Sequence, residues 1–264
     1  MIALMALPFL ACLILAGIHA YLGLHVLERK VIFVDLALAQ MAALGALIGI
    51  MWGMDLNSTA NFFCSFAFTL LGALLVALTR FHQKIVPSEA LIGLMYVFSA
   101  ALAILILDKA PSQAQHLKDM LVGNILFVSW VDIAKLLGVY GGVGLFHFIF
   151  RDKFFAASRQ AESASSYLLW DSLFFITFGL VVTTSVALAG VLLVFCLLIA
   201  PSVGARYLSK TPRGRLFWGW GISGIACLTG ITGSVYADVP SGPAIIMAFM
   251  VICMVIFING HNKN

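Results

Sequence analysis

The chain has 264 residues, a formal net charge of +4, 62% hydrophobic residues and only 10% charged ones. A soluble domain carries about 25% charged residues, so this composition excludes an ordinary soluble enzyme, and no basic, aromatic-interleaved patch points to nucleic acid. The length suits one membrane domain over residues 1–264 and leaves no room for an added soluble catalytic domain.

A bilayer core is about 30 Å thick and asks roughly 20 mostly apolar residues of a spanning helix. Apolar runs place spans at Ala3–Leu24, Val31–Met51, Thr59–Thr79, Ser88–Leu107, Ile133–Phe150, Ser172–Val186, Leu188–Leu208, Leu216–Tyr236 and Pro243–Ile258. The expected fold class is therefore all-α: a polytopic helical membrane protein with eight or nine transmembrane helices and a short cytoplasmic helix. The first run has no basic leader and no small-residue cleavage site, so it reads as a retained helix. The sixth and seventh spans share one uninterrupted stretch, and a reversal near Thr183, Thr184 and Ser185 is expected to divide it. Met120–Val128 is too short to cross and reads as a re-entrant or interfacial piece.

Loop charges orient the bundle. Arg29, Lys30, Arg80, Lys84, Arg151, Lys153, Arg159, Arg206, Lys210, Arg213, Arg215 and Lys263 put twelve of the fifteen Lys and Arg on one side. The positive-inside rule makes that side cytoplasmic, with the N-terminus outside and the C-terminus inside. The longest inside connection is Arg151–Asp171, and its centre, Phe154–Tyr167, suits either a short amphipathic helix or a solvated loop. The small residues Ala156, Ala157 and Ala161 there would let a partner dock closely.

Polar and ionisable groups inside spans are costly and face the bundle interior, which singles out His19, Asp35, Gln40, Lys135 and His147. Lys135 and His147 lie near span ends, where snorkelling to water explains them. His19 is either a hydrogen-bonded bundle histidine or a ligand. Asp35 either caps or ion-pairs with Arg29 or Lys30, or lines a substrate path with Gln40 and His19. His116 and Asp119 sit on an outside loop, as a solvated pair or as a contact where cargo enters. The five cysteines, Cys12, Cys64, Cys196, Cys227 and Cys253, are scattered through apolar segments and read as packing residues. The sequence holds no metalloprotease helix, no phosphate-cradling glycine loop and no nucleophile elbow. Any ATP must be hydrolysed by another subunit.

Several blocks, in order, resemble the permease subunits of bacterial ABC importers of the zinc/manganese type. They are Val26–Gly45 with Asp35 and Gln40, Glu89–Gly93, Leu121–Leu126 with Val128 and Ser129, Gly190–Val194 with Leu198–Pro201 and Ala205–Arg206, and Pro240–Pro243. The resemblance implies a homodimeric permease in the bacterial plasma membrane, surrounded by lipid. Its partners would be cytoplasmic ATP-binding subunits, which hold ATP and magnesium, and an extracytoplasmic substrate-binding protein. The connection near residues 152–170 falls where the family places its coupling helix, which implicates Ala156, Ala157, Gln160, Ala161 and Glu162. The family's second helix carries an Asp-x-x-x-His pair. Here Ala39 follows Asp35 at that spacing, and Gln40 comes one residue later. Residues five apart on a helix point about 140° from each other, so Asp35 and Gln40 do not share an ion. Three alternatives stay open. The binding protein alone grips the metal, or ligands come from elsewhere, or the cargo is not a bare zinc or manganese ion but a metal complex or a different small solute. An ion-driven secondary transporter is the remaining transport reading, and would be expected to show paired intramembrane carboxylates.

Overall fold

The computed structural model describes residues 2–56, 58–79, 86–109, 122–123, 125–159 and 164–261. Among them are ten α-helices and one 3-10 turn. The helices are α1 (Ile2–Arg29), α2 (Val34–Met51), α3 (Thr59–Thr79), α4 (Ser88–Lys109), α5 (Trp130–Ile149), α6 (Arg151–Ser158), α7 (Ala164–Ala189), α8 (Val191–Leu208), α9 (Pro212–Ala237) and α10 (Ser241–His261). All but α6 are long and apolar enough to cross a membrane, giving nine spans among the described residues. The larger of the two expected counts is the one found. Within Met120–Val128 the described residues include the 3-10 turn Ile125–Phe127.

Helices gather into two compact units. The first holds residues 1–27, 122–144 and 188–264, and the second holds 28–121 and 145–187. In the second unit α2, α3 and α4 pack on one another. Helix α2 is buried on almost every side, from Val34 through Leu47 with Leu36 as the exception. Its small residues make this possible, because without a hydrophobic drive between helices in lipid, close backbone approach supplies the packing energy. A Cβ on Gly45 would stand 2.9 Å from Cys64 O and Ser65 Cα of α3. The outward face of α4 shows Leu94, Val97, Phe98, Ile104 and Leu105, an apolar surface suited to lipid.

In the first unit α8, α9 and α10 pack on one another. Helix α1 reaches α8 at Gly23, where any Cβ would collide with Leu198 O and Ser202 Oγ. Trp220 Nε1 donates to Gly17 O at 3.1 Å, fixing α9 on α1. Helix α9 starts with Thr211 as N-cap, whose Oγ1 accepts from Gly214 N at 3.1 Å, and with Pro212 in the first turn. Cys12, Cys196, Cys227 and Cys253 are buried within this unit.

The break between the sixth and seventh spans is not at Thr183–Ser185. Those hydroxyls donate to the carbonyls one turn back, Gly179 O, Leu180 O and Val181 O, and α7 runs on to Ala189. Back-bonding satisfies each hydroxyl inside the helix, so the polar trio does not interrupt it. The chain leaves helix at Gly190, with φ 79° and ψ 156°. That conformation is essentially reserved for glycine.

Candidate functional site

The richest polar chemistry lies in the second unit, around the basic turn between α1 and α2. Arg29 closes α1 and is almost fully buried. Its Nε donates to Asp171 Oδ1 of α7 at 2.9 Å, both side chains being out of solvent. Nη1 donates to Ser158 Oγ at the end of α6. The guanidinium carbon lies 3.8 Å from the centre of the Phe174 ring. Three recognition modes converge on one planar cation: ion pair, hydroxyl bond and ring face. Arginine serves all three, since its fixed fork of donors is also flat enough to stack.

An aromatic cluster surrounds this cation. His147, near the end of α5, stacks face to face on Phe154 of α6, with centroids 3.9 Å apart and planes 2° apart. Its Nε2 and Thr177 Oγ1 are 2.8 Å apart. Phe154 also meets Phe146 and Trp170 edge-on and is fully buried. Helix α6 is therefore anchored by Phe154 on one turn and Ser158 on the next. Its Arg151, Asp152 and Lys153 stay exposed. His147 does not reach water, contrary to the snorkelling expectation, because α6 folds over it. Lys135 has a side chain 69% exposed and lies 3.8 Å from Asp132.

On its other side the same turn leads into α2. Lys30 has φ 57°, and Val34 N donates to Val31 O at 3.2 Å, so the chain reverses tightly. Ile32 N donates to Glu89 Oε1 in the first turn of α4. A polar cleft of about 660 Å³ opens here, lined by Glu28, Lys30, Ser88, Glu89 and Arg159 among others.

Asp35 sits in the first turn of α2, fully buried, and neither carboxylate oxygen has a hydrogen-bond partner among the described residues. The ion pair with Arg29 does not form, because Asp171 takes that guanidinium. No side-chain cap is present either; Phe33 occupies the N-cap position. Gln40 is buried on the same unbroken helix and projects away from Asp35. His19 belongs to the first unit, where its Nδ1 lies 2.7 Å from Leu15 O and its ring meets Tyr140 edge-on. Among the described residues no group of three or more His, Cys, Asp or Glu is arranged to hold a metal ion. His116, Asp119, Gln160, Ala161 and Glu162 lie outside the described residues. Of the expected coupling residues, Ala157 packs inward and Ala156 is half-buried at the end of α6.

A second constellation occupies the first unit. A Cβ on Gly123 (φ 71°) would overlap the carbonyl of Ala189, and one on Gly190 would overlap the backbone of Val122 and Gly123. A Cβ on Gly242 would stand 2.8 Å from Val122 O. Three sequence blocks, Leu121–Leu126, Gly190–Val194 and Pro240–Pro243, thus meet backbone to backbone at one junction.

These blocks and the Val26–Gly45 signature lie within a single match: the profile described as "ABC 3 transport family" covers residues 1–260. The chain belongs to the ABC 3 transport family. Among curated relatives, it is similar to the high-affinity zinc uptake system membrane protein ZnuB of Haemophilus influenzae, 22% identical over 244 residues that make up 89% of each chain. It is also similar to the manganese transport system membrane protein MntC of Halalkalibacterium halodurans, 25% identical over 243 residues, 90% of this chain and 80% of that one. In fold it matches a chain of the structure titled "PsaBC from Streptococcus pneumoniae in complex with Fab", with a TM-score of 0.78, 20% identity, and coverage of 95% of this chain and 90% of that one. As an ABC 3 family member with nine candidate spans, the chain is a multi-pass membrane protein of a transport system.

Proposed function

We propose that this chain is the membrane permease subunit of an ATP-driven importer and forms the path for a metal ion or metal complex across the bacterial plasma membrane. The observation that carries this reading is the family match across residues 1–260, supported by relatives named for zinc and manganese uptake. A homodimer of the whole 1–264 chain would enclose the path. Two cytoplasmic ATP-binding subunits would hold ATP and magnesium and do the hydrolysis. An extracytoplasmic binding protein would deliver the cargo. The basic turns, Arg29–Lys30, Arg151–Arg159 and Arg206–Arg215, favour a cytoplasmic C-terminus and an outside N-terminus.

In this reading α6 and the connection after it are the handle on which the ATPases act. Closure of the ATPases would shift the helix bundle between two packings, open inward or open outward, and transport follows from biasing that equilibrium. In this reading Asp35 is the residue of the second unit that would meet cargo. Its carboxylate is desolvated and unsatisfied, a costly arrangement that a passing cation would relieve. A second reading, a different small solute on the same scaffold, is favoured by one observation: no three-ligand metal cluster exists among the described residues.

The test is reconstitution of the permease with its ATPase and binding protein in liposomes, followed by uptake of radioactive zinc and manganese. ATP-dependent accumulation of either ion is expected. A native complex that contains no ATPase and accumulates neither ion would overturn the importer reading. ATP-dependent uptake of another solute alone would favour the second.

A further inference from the structure

We infer that Arg29, Asp171 and Glu89 are positioning residues that link the coupling segment to the start of α2, so that a shift of α6 is delivered to Asp35. This rests on the importer reading, since it assigns a route for the motion that reading requires. The geometry is specific. The Arg29 guanidinium holds Ser158 at the end of α6 and Asp171 two turns into α7, the two helices on either side of residues 159–163. Phe174, one turn beyond Asp171, closes over the guanidinium at 3.8 Å. One side chain thus clamps both helices at once.

Only five residues separate Arg29 from Asp35 along the chain. They form the tight turn through Lys30 and Val31–Val34, whose outer edge is fastened to α4 by Ile32 N donating to Glu89 Oε1. The turn is therefore held at two points, by Arg29 toward α6 and α7 and by Glu89 toward α4. Between them lies the polar cleft of about 660 Å³, so the turn has open space beside it. A buried ion pair is a suitable coupling element. Its two charges stay together when their helices move, because separating them in a desolvated site is strongly unfavourable. Packed helices carry such displacements as discrete rearrangements, not as gradual deformation.

The experiment uses the complete complex in liposomes and reads cargo transported per ATP hydrolysed, at equal amounts of folded protein. Lys30→Cys, on an exposed residue, adds a maleimide-accessible reporter whose labelling rate is compared with and without ATP and vanadate. Arg29→Gln and Asp171→Asn should retain ATP hydrolysis, lower the transport ratio at least tenfold and abolish the nucleotide-dependent change in labelling. Arg29→Lys should restore part of the ratio, keeping the charge but losing the fork. If Arg29→Gln fails to fold, Ser158→Ala and Glu89→Ala each remove one tether and should lower the ratio several-fold. A normal ratio with intact nucleotide-dependent labelling in these folded variants would overturn the linkage alone. Absence of ATP-driven uptake by the parent complex overturns the importer reading, and the linkage with it.

Discussion

The two units solve the same assembly problem with opposite materials. In the second, Arg29 and Asp171, 142 residues apart, meet as a desolvated ion pair inside an aromatic cluster. In the first, Gly123, Gly190 and Gly242 bring three chain segments together by having no side chain at all. Lipid tails are as apolar as leucine, so burial of apolar surface cannot tell one helix pairing from another. Specificity must come from polar matching or from approach distance. The difference teaches that these devices fail differently. A charge pair can be replaced as a pair, whereas a backbone contact has no compensating substitution.

The sharpest test acts on the glycine junction. Gly190→Val forces a branched side chain into φ 79° and into the backbone of Val122 and Gly123. The expected loss is about 3 kcal/mol or more, from backbone strain and overlap together. Thermal unfolding of the detergent-solubilised protein would report it as a large drop in Tm. Gly190→Ala should also lower Tm, by less. An unchanged melting curve for Gly190→Ala would mean that the three blocks do not need to touch.

The ion pair is of comparable size. Arg29→Met leaves Asp171 as a buried charge without its partner and should cost about 3–5 kcal/mol. The double change Arg29→Met with Asp171→Leu should recover most of that loss, since no unpaired charge remains. Measured by the same melting assay, a double variant as unstable as the single one would show that Arg29 contributes through Ser158 and Phe174 rather than through charge.

Much of this was legible from residues alone, and the remainder has identifiable reasons. Apolar length located all nine candidate spans found among the described residues, and the glycines at 123, 190 and 242 fell within the blocks that carried the family resemblance. Spacing also separated Asp35 from Gln40 correctly, because α2 is unbroken. Three expectations failed for want of tertiary information. The stretch was too long for one span and Thr183–Ser185 looked like its break, yet each hydroxyl bonds one turn back. His147 looked like a span-end residue free to reach water until α6 covered it. Arg29 looked like a candidate partner for Asp35, and nothing in a linear reading pairs it with Asp171 instead. The aromatic run Phe146, Phe150, Phe154, Trp170 and Phe174 was the available signal for a packed cluster at that end.

Asp35→Asn tests the site with a smaller effect on the fold. The carboxylate has no partner to lose among the described residues, so a neutral amide of similar shape should leave stability unchanged within about 1 kcal/mol, or raise it. Uptake by the reconstituted complex should fall at least tenfold if the residue meets cargo. Normal uptake would assign Asp35 a packing role and leave Arg29 as the only functional charge on this turn.

The smallest expected effect is at Ser65, whose hydroxyl donates to Ala42 O at 2.8 Å across the α2–α3 contact. Ser65→Ala should cost about 0.6 kcal/mol, the average for such bonds between helices in a membrane. The physical reason separates this bond from the ion pair. Ala42 O is a carbonyl with two lone pairs, and one of them stays engaged within α2 when the hydroxyl is gone. No charge is stranded and no backbone is displaced. The melting assay should therefore place Ser65→Ala far above Arg29→Met and Gly190→Val. If it destabilised the protein as much as Arg29→Met does, the cost of losing a contact here would not depend on what the departing group leaves behind, and the contrast between charged and backbone devices would collapse.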